Sequence, residues 1–181
     1  MSAAPLAFEQ KQIVGIAAFA VSNNESVSLA AYGLGSGIGV AIYDPVARVA
    51  GLLHAMLPNS SIDPGKALAH PGMFVDTGVP ALFRAAYQLG ADKHRVIIGV
   101  AGGGQILDAG GAFDIGGQNA SSLRELFLQH GLRIHAEHLG GVFNRTLYLQ
   151  VKTGEIRVKI SGETNETVLC KNSTIDRKSV V

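Results

Sequence analysis

The segment Gly33-Leu34-Gly35-Ser36-Gly37-Ile38-Gly39-Val40-Ala41-Ile42-Tyr43-Asp44-Pro45, followed by Gly51-Leu52-Leu53-His54-Ala55-Met56-Leu57-Pro58, decides how the chain folds. Residues 37–43 are nearly all apolar and stop at Asp44-Pro45, and 49–57 begin a second apolar run. That spacing predicts a strand, a turn and a second strand. Its glycine cluster and its one histidine, His54, are then carried on neighbouring strands.

Upstream, residues 12–20 and 27–32 are apolar or alternating and are separated by the polar cluster Ser22-Asn23-Asn24-Glu25-Ser26, which again predicts strand, turn and strand. Downstream the period changes. Val79, Leu82, Phe83 and Ala86 recur at helical intervals, Pro80 is tolerated in a first turn and Gly90 can stop the element, so a helix is expected over 77–89. Residues 94–101 predict a buried strand, and 119–130 a second helix with Ser121 or Asn119 as cap and Gly131 as stop. Strands follow at 132–137, 145–152 and 155–160, the last two joined through Thr153-Gly154, a hairpin signal. From Ser161 the composition turns polar, through Glu163-Thr164-Asn165-Glu166-Thr167 to Asp176-Arg177-Lys178-Ser179, and predicts a mobile tail or a short added strand at 167–169. The order predicts an α+β fold in one domain over 1–160 with a tail over 161–181.

The chain has 181 residues, 47% of them hydrophobic, which is enough for one well-buried core. That hydrophobic content is also compatible with an interface in a homo-oligomer. Only 16% of residues are charged and the net charge is +1, so the electrostatic footprint of a nucleic-acid binder is missing and no nucleic-acid partner is expected. No apolar run approaches the roughly 18 residues a membrane-spanning helix requires. The start, Met1-Ser2-Ala3-Ala4-Pro5, does not read as a secretory leader, and a cytoplasmic location is expected. The single cysteine, Cys170, excludes an internal disulfide.

The glycines from 33 to 39 do not make a dinucleotide fingerprint. Read as Gly-x-Gly-x-x-Gly from Gly33, Gly35 or Gly37, the last position holds Ile38, Val40 or Ile42. Gly102-Gly103-Gly104 continues as Gln105-Ile106 rather than Lys-Ser/Thr, so it is not a Walker-type cradle. His135 and His138 are the only close histidine pair, and residues three apart on a strand face opposite ways, so neither a metal nor any other cofactor is expected. His54 stands alone in an apolar strand, a setting that suits either a hydrogen-bonded core residue or a catalytic base.

Leu34-Gly35-Ser36-Gly37-Ile38-Gly39-Val40 with Tyr43-Asp44-Pro45, then Gly51-Leu52-Leu53-His54 with Met56-Leu57-Pro58, is similar to the signature of the bacterial chemoreceptor glutamine deamidase (CheD) family. Val14-Gly15-Ile16, Gly90-Ala91, Val100-Ala101-Gly102-Gly103-Gly104, Ile115-Gly116 with Asn119, Leu139-Gly140-Gly141 with Arg145, and residues 153–159 follow in that family's order, so the likeness runs from about Val14 to Lys159. The resemblance implies a mixed β-sheet sandwich with flanking helices. It also implies a cysteine nucleophile that attacks a receptor glutamine amide or glutamate methyl ester, with a histidine base on the next strand and a threonine shortly before the cysteine. On this chain the base falls on His54, the nucleophile on Gly37 and the threonine on or beside Ala31, so one of the three is retained.

With no side chain at residue 37 there is nothing to attack a carbonyl, and the expectation is that deamidase activity is lost. Ser36 is an alternative nucleophile, but a strand neighbour points to the other face, and Cys170 would have to fold back onto His54. The resemblance implies as partners chemoreceptor cytoplasmic helices or a CheC-type phosphatase. The alternative is an active deamidase or hydrolase that uses His54 with a non-standard nucleophile.

Overall fold

The computed structural model describes residues 8–106 and 113–171. The expected end of the tail, from Asn172 through Asp176–Ser179, lies outside the described residues, as does the start of the chain before Phe8. The described residues form ten strands: β1 (Gln10–Ile13), β2 (Ala18–Ser22), β3 (Val27–Leu34), β4 (Ile38–Asp44), β5 (Val49–Ala55), β6 (Ile97–Gly102), β7 (Ala136–Leu139), β8 (Arg145–Gln150), β9 (Ile156–Ile160) and β10 (Thr167–Cys170). Three α-helices join them: α1 (Pro64–Ala69), α2 (Val75–Gln88) and α3 (Ile115–Gln129). One five-stranded sheet has the order β1-β3-β8-β9-β10 and the other β2-β5-β4-β6-β7. Both are mixed, because β1 runs parallel to β3 and β7 parallel to β6 while the remaining pairs are antiparallel. The α+β sandwich with flanking helices is therefore the observed architecture.

The layers follow from strand alternation. Ala41 and Tyr43 of β4 and Ala50 and Leu52 of β5 face Leu29, Ala31, Leu147 and Leu149 of the other sheet. Val40, Ile42 and Leu53 point the other way, against Val79, Leu82, Phe83, Leu123 and Phe127 of α2 and α3. β4 and β5 are thus covered on both faces, which is why they read as continuous apolar runs. Each fully buried leucine or isoleucine there contributes roughly 1.5–3 kcal/mol of transfer free energy.

Several boundaries differ from the sequence expectation. The expected strand 12–20 is two strands in two sheets, because Ala17 takes a left-handed conformation (φ 61°) and the chain crosses from one sheet to the other between Ile13 and Ala18. Ala17 N–H donates to His54 O at 2.9 Å, so the crossover lies beside the histidine. The helix expected at 119–130 starts at Ile115, with Asp114 rather than Ser121 or Asn119 as cap; its carboxylate accepts from Gly117 N–H at 2.9 Å. A Cβ on Gly116 would sit 2.3 Å from Gly104 O, so the glycine allows the helix to abut the Gly102–Gly104 loop. α2 begins at Val75, which places Pro80 inside the helix rather than in its first turn. β10 realises the second of the two expectations for 167–169, pairing antiparallel with β9.

Candidate active site

Two positions meet between the sheets. Strand alternation turns the odd residues of β4, and residues 50, 52 and 54 of β5, toward the space that β3 covers with Leu29 and Ala31. In the β4–β5 register Gly39 stands opposite His54 and Ile38 opposite Ala55. A Cβ on Gly37 would lie 3.4 Å from His54 Nε2 and 2.9 Å from Ala55 O. Residue 37 and the imidazole therefore face one another across adjacent strands, and Ala31, wholly buried, belongs to the same inter-sheet layer.

His54 is 3% exposed, and its Nδ1 has no hydrogen-bond partner among the described residues. Burial holds its pKa below the ordinary histidine value. The Val14 backbone works in the opposite direction, but no bond of good geometry reaches Nδ1. The net downward direction favours the neutral ring, and Nε2 is the nitrogen toward residue 37. Nδ1 is left unpaired among the described residues.

A cavity of about 330 Å³ opens over this edge of the sandwich, lined by Gly35, Ser36, Gly37, His54 and Asn144 with an apolar wall of Ile16, Met56 and Ile106. Ser36 thus borders the cavity, yet no hydrogen bond joins its hydroxyl to His54. Cys170 does not border it: it lies on β10 at the far edge of the other sheet, half-buried, with burial pushing its thiol pKa up. Two other hollows, a 250 Å³ apolar groove between α2 and α3 and a 420 Å³ cleft near Lys93 and His135, do not include His54.

Asn119 is a site residue that sequence reasoning used only as a cap candidate and as part of a family likeness. It is fully buried on α3, and its amide nitrogen donates to Ser36 O and to Met56 O, both at 2.9 Å. One side chain thereby ties the peptide just before Gly37 to the chain just after His54. The available signal was a polar residue four and eight positions before Leu123 and Phe127, on the helix face that packs inward. Arg145, which sequence reasoning used only as part of the family likeness, is a second such residue. Its buried guanidinium donates to His138 Nδ1 at 2.7 Å and to the carbonyls of Gly140, Phe143 and Gly102, fixing the loop that carries Asn144 to the cavity. His135 and His138 have separate partners: His135 Nδ1 accepts from Ile98 N–H at 3.0 Å, and only His138 lies within β7.

An imidazole facing a residue position from the adjacent strand, between the sheets and beside a cavity, makes this the candidate site. The family model "CheD chemotactic sensory transduction" matches residues 56–160, a segment that starts two residues beyond His54. The chain is 51% identical over 150 residues to "Probable chemoreceptor glutamine deamidase CheD 1" of Syntrophus aciditrophicus, covering 83% of this chain and 94% of that one. It is 40% identical over 156 residues to "Probable chemoreceptor glutamine deamidase CheD" of Solibacter usitatus, covering 86% and 92%. A protein of the same printed name from Pyrococcus abyssi is 36% identical over 159 residues, covering 86% and 96%. The chain belongs to the CheD family of chemotaxis proteins. No helix among the described residues is long and apolar enough to cross a membrane.

Proposed function

We propose that this chain is a cytoplasmic CheD-type protein that works by docking and not by deamidation, with chemoreceptor cytoplasmic helices or a CheC-type phosphatase as its partner. The observation that carries the reading is the empty position opposite His54 Nε2: Gly37 has no atom that could attack an amide, and Ala31 has no hydroxyl to orient the ring. Losing the nucleophile from such a site leaves only binding and polarisation, a fall of several orders of magnitude in rate. Docking does not require that atom. Ile16, 62% exposed, and Met56, 38% exposed, line the cavity, and Phe143, 46% exposed, is next to Asn144 in sequence, so the rim offers apolar anchors for a helix.

The test is a calorimetric titration with a receptor cytoplasmic fragment and with the phosphatase of the same genome, followed by mass spectrometry of the receptor. Binding to one of them with no gain of about one dalton at any glutamine, the mark of an amide replaced by an acid, supports the reading. No binding to either, or conversion that His54→Ala abolishes, refutes it. The second outcome would favour the rival reading, in which His54 activates water for hydrolysis.

A further inference from the structure

We propose that His138 is an acid-sensitive latch: a proton on its Nδ1 breaks the bond it accepts from Arg145 and loosens the loop of residues 140–144 at the rim of the cavity beside His54. Any consequence for a partner rests on the docking reading above. The latch itself does not.

The latch is built around a buried cation. Arg145 opens β8 and is 1% exposed, yet among the described residues no carboxylate pairs with its guanidinium. Its acceptors are neutral instead: Nε–H donates to His138 Nδ1 at 2.7 Å, and the terminal nitrogens donate to the carbonyls of Gly140, Phe143 and Gly102. The guanidinium also lies 5.8 Å from the centre of the Phe143 ring. The loop between β7 and β8 buries little of its own, with Val142 71% and Phe143 46% exposed, so this one side chain does much to hold it. The rest of the hold is backbone: Gly140 N–H donates to Gly102 O at 3.0 Å and Gln105 N–H to Gly141 O at 2.8 Å. Gly104 N–H in turn donates to Gly35 O at 2.8 Å, which connects the loop to the glycine segment that lines the cavity.

The bond from Arg145 demands an unprotonated Nδ1. An arginine N–H only donates, and a protonated imidazole carries a donor on both nitrogens. After protonation, two N–H groups and two positive charges would face one another at 2.7 Å beside a buried side chain, where screening is weak. Arginine keeps its charge, so one group must withdraw. If the imidazole swings out, Nε loses its acceptor; if the guanidinium retreats, it gives up the loop carbonyls. Both slacken the loop.

The groups around His138 set the direction. β6, beside β7, brings no titratable side chain, β10 brings Cys170, β8 brings Arg145, and the turn after β9 brings Glu163. Glu137 of β7 is paired with Arg124 of α3. Burial first, and then the Arg145 charge, hold the imidazole below the ordinary value of 6.5 against the opposing pull of its own backbone and Glu163. The latch is therefore closed at neutral pH and opens as pH falls below 6.5.

The chain has no tryptophan, so Val142→Trp places a single reporter on the loop at an exposed position. Fluorescence anisotropy of the full chain with this change is followed from about pH 8 to about pH 5, the range in which histidines titrate, with far-ultraviolet circular dichroism recorded on the same samples. The expected result is a loss of anisotropy with its midpoint below pH 6.5 while the circular dichroism holds. Adding His138→Asn, whose side-chain carbonyl accepts from Arg145 and does not titrate, should leave the anisotropy flat; His138→Gln is the second such acceptor if the asparagine variant does not fold. His54 and His135 remain in both, so their titration is controlled. No loss of anisotropy, a loss that persists in the folded His138 variant, or a loss that coincides with collapse of the circular dichroism overturns the proposal. Because no partner is present, failure here leaves the docking reading standing, and failure of the receptor titration leaves the latch standing.

Discussion

Asn119→Leu separates a residue that merely fills the core from one that ties the site together. The asparagine is fully buried and donates from one nitrogen to Ser36 O and Met56 O, both at 2.9 Å, while its own Oδ1 has no partner among the described residues. Leucine has the same branched skeleton and is bulkier, so no cavity opens and the loss comes from two carbonyls deprived of their donor, with any overpacking adding to it. Each such carbonyl costs about 1–3 kcal/mol when fully buried. Met56 is 38% exposed, so water can reach part of the pair and the low end applies. Relief of the unpartnered Oδ1 offsets a further fraction. The net expectation is about 2 kcal/mol of destabilisation, a large share of the stability of a domain this size. Guanidinium denaturation at constant m-value reads it, and amide hydrogen exchange around Gly37 should accelerate more than in β8. A loss below about 0.5 kcal/mol, the level of an ordinary surface change, would refute the argument that this side chain holds the two strand ends together.

Three further outcomes follow from the same geometry. Burial is the largest influence holding His54, His135 and His138 below the ordinary value of 6.5, joined for His138 by the Arg145 guanidinium and for His135 by Arg133. The unfolded chain therefore binds more protons than the folded one as pH falls below about 6.5, and the denaturation midpoint should drop between about pH 8 and about pH 5; a flat profile contradicts it. Asp44→Asn should cost about 2 kcal/mol by thermal or chemical melting, because the carboxylate accepts from Arg95 and from the backbone of Val46, Ala47 and Asp92; loss of less than about 0.5 kcal/mol would show those bonds to be dispensable. Burial is the largest influence on that carboxyl and raises its pKa, but the Arg95 and backbone bonds together hold it below the ordinary value. Gly102→Ala should cost about 3 kcal/mol or more, since φ is +114° and the new Cβ would lie 2.2 Å from Gly37 O, whereas Gly131→Ala, at φ +65° with nothing within 4 Å, should cost only about 1 kcal/mol; equal melting shifts would refute the contact argument.

The two central strands were legible because each is buried on both faces, and such strands appear in sequence as unbroken apolar runs ended by a turn. Helix α2 was legible because its inward residues repeat at helical spacing. The start of α3 was not, because Gly116 and Gly117 carry low helix propensity, and Gly116 is present for a tertiary reason, the approach of the helix to Gly103 and Gly104, while Gly117 makes room for the Asp114 carboxylate that caps the helix. The split of 12–20 was hidden for a similar reason, since Ala17 adopts a left-handed φ that nothing in its side chain announces.

By itself, the sequence determined the layered α+β class, the family likeness and the chemical inventory of the site: an imidazole at 54, no nucleophile at 37 and no hydroxyl at 31, all of which are matters of residue type and period. The tertiary structure alone decided that Gly37 lies across from Nε2, that Nδ1 is left without a partner, and that Asn119, more than sixty positions from Met56, bonds to both strand ends. Those facts depend on strand register and on where a helix docks, and both are set by packing between residues far apart in the chain, which no local pattern encodes.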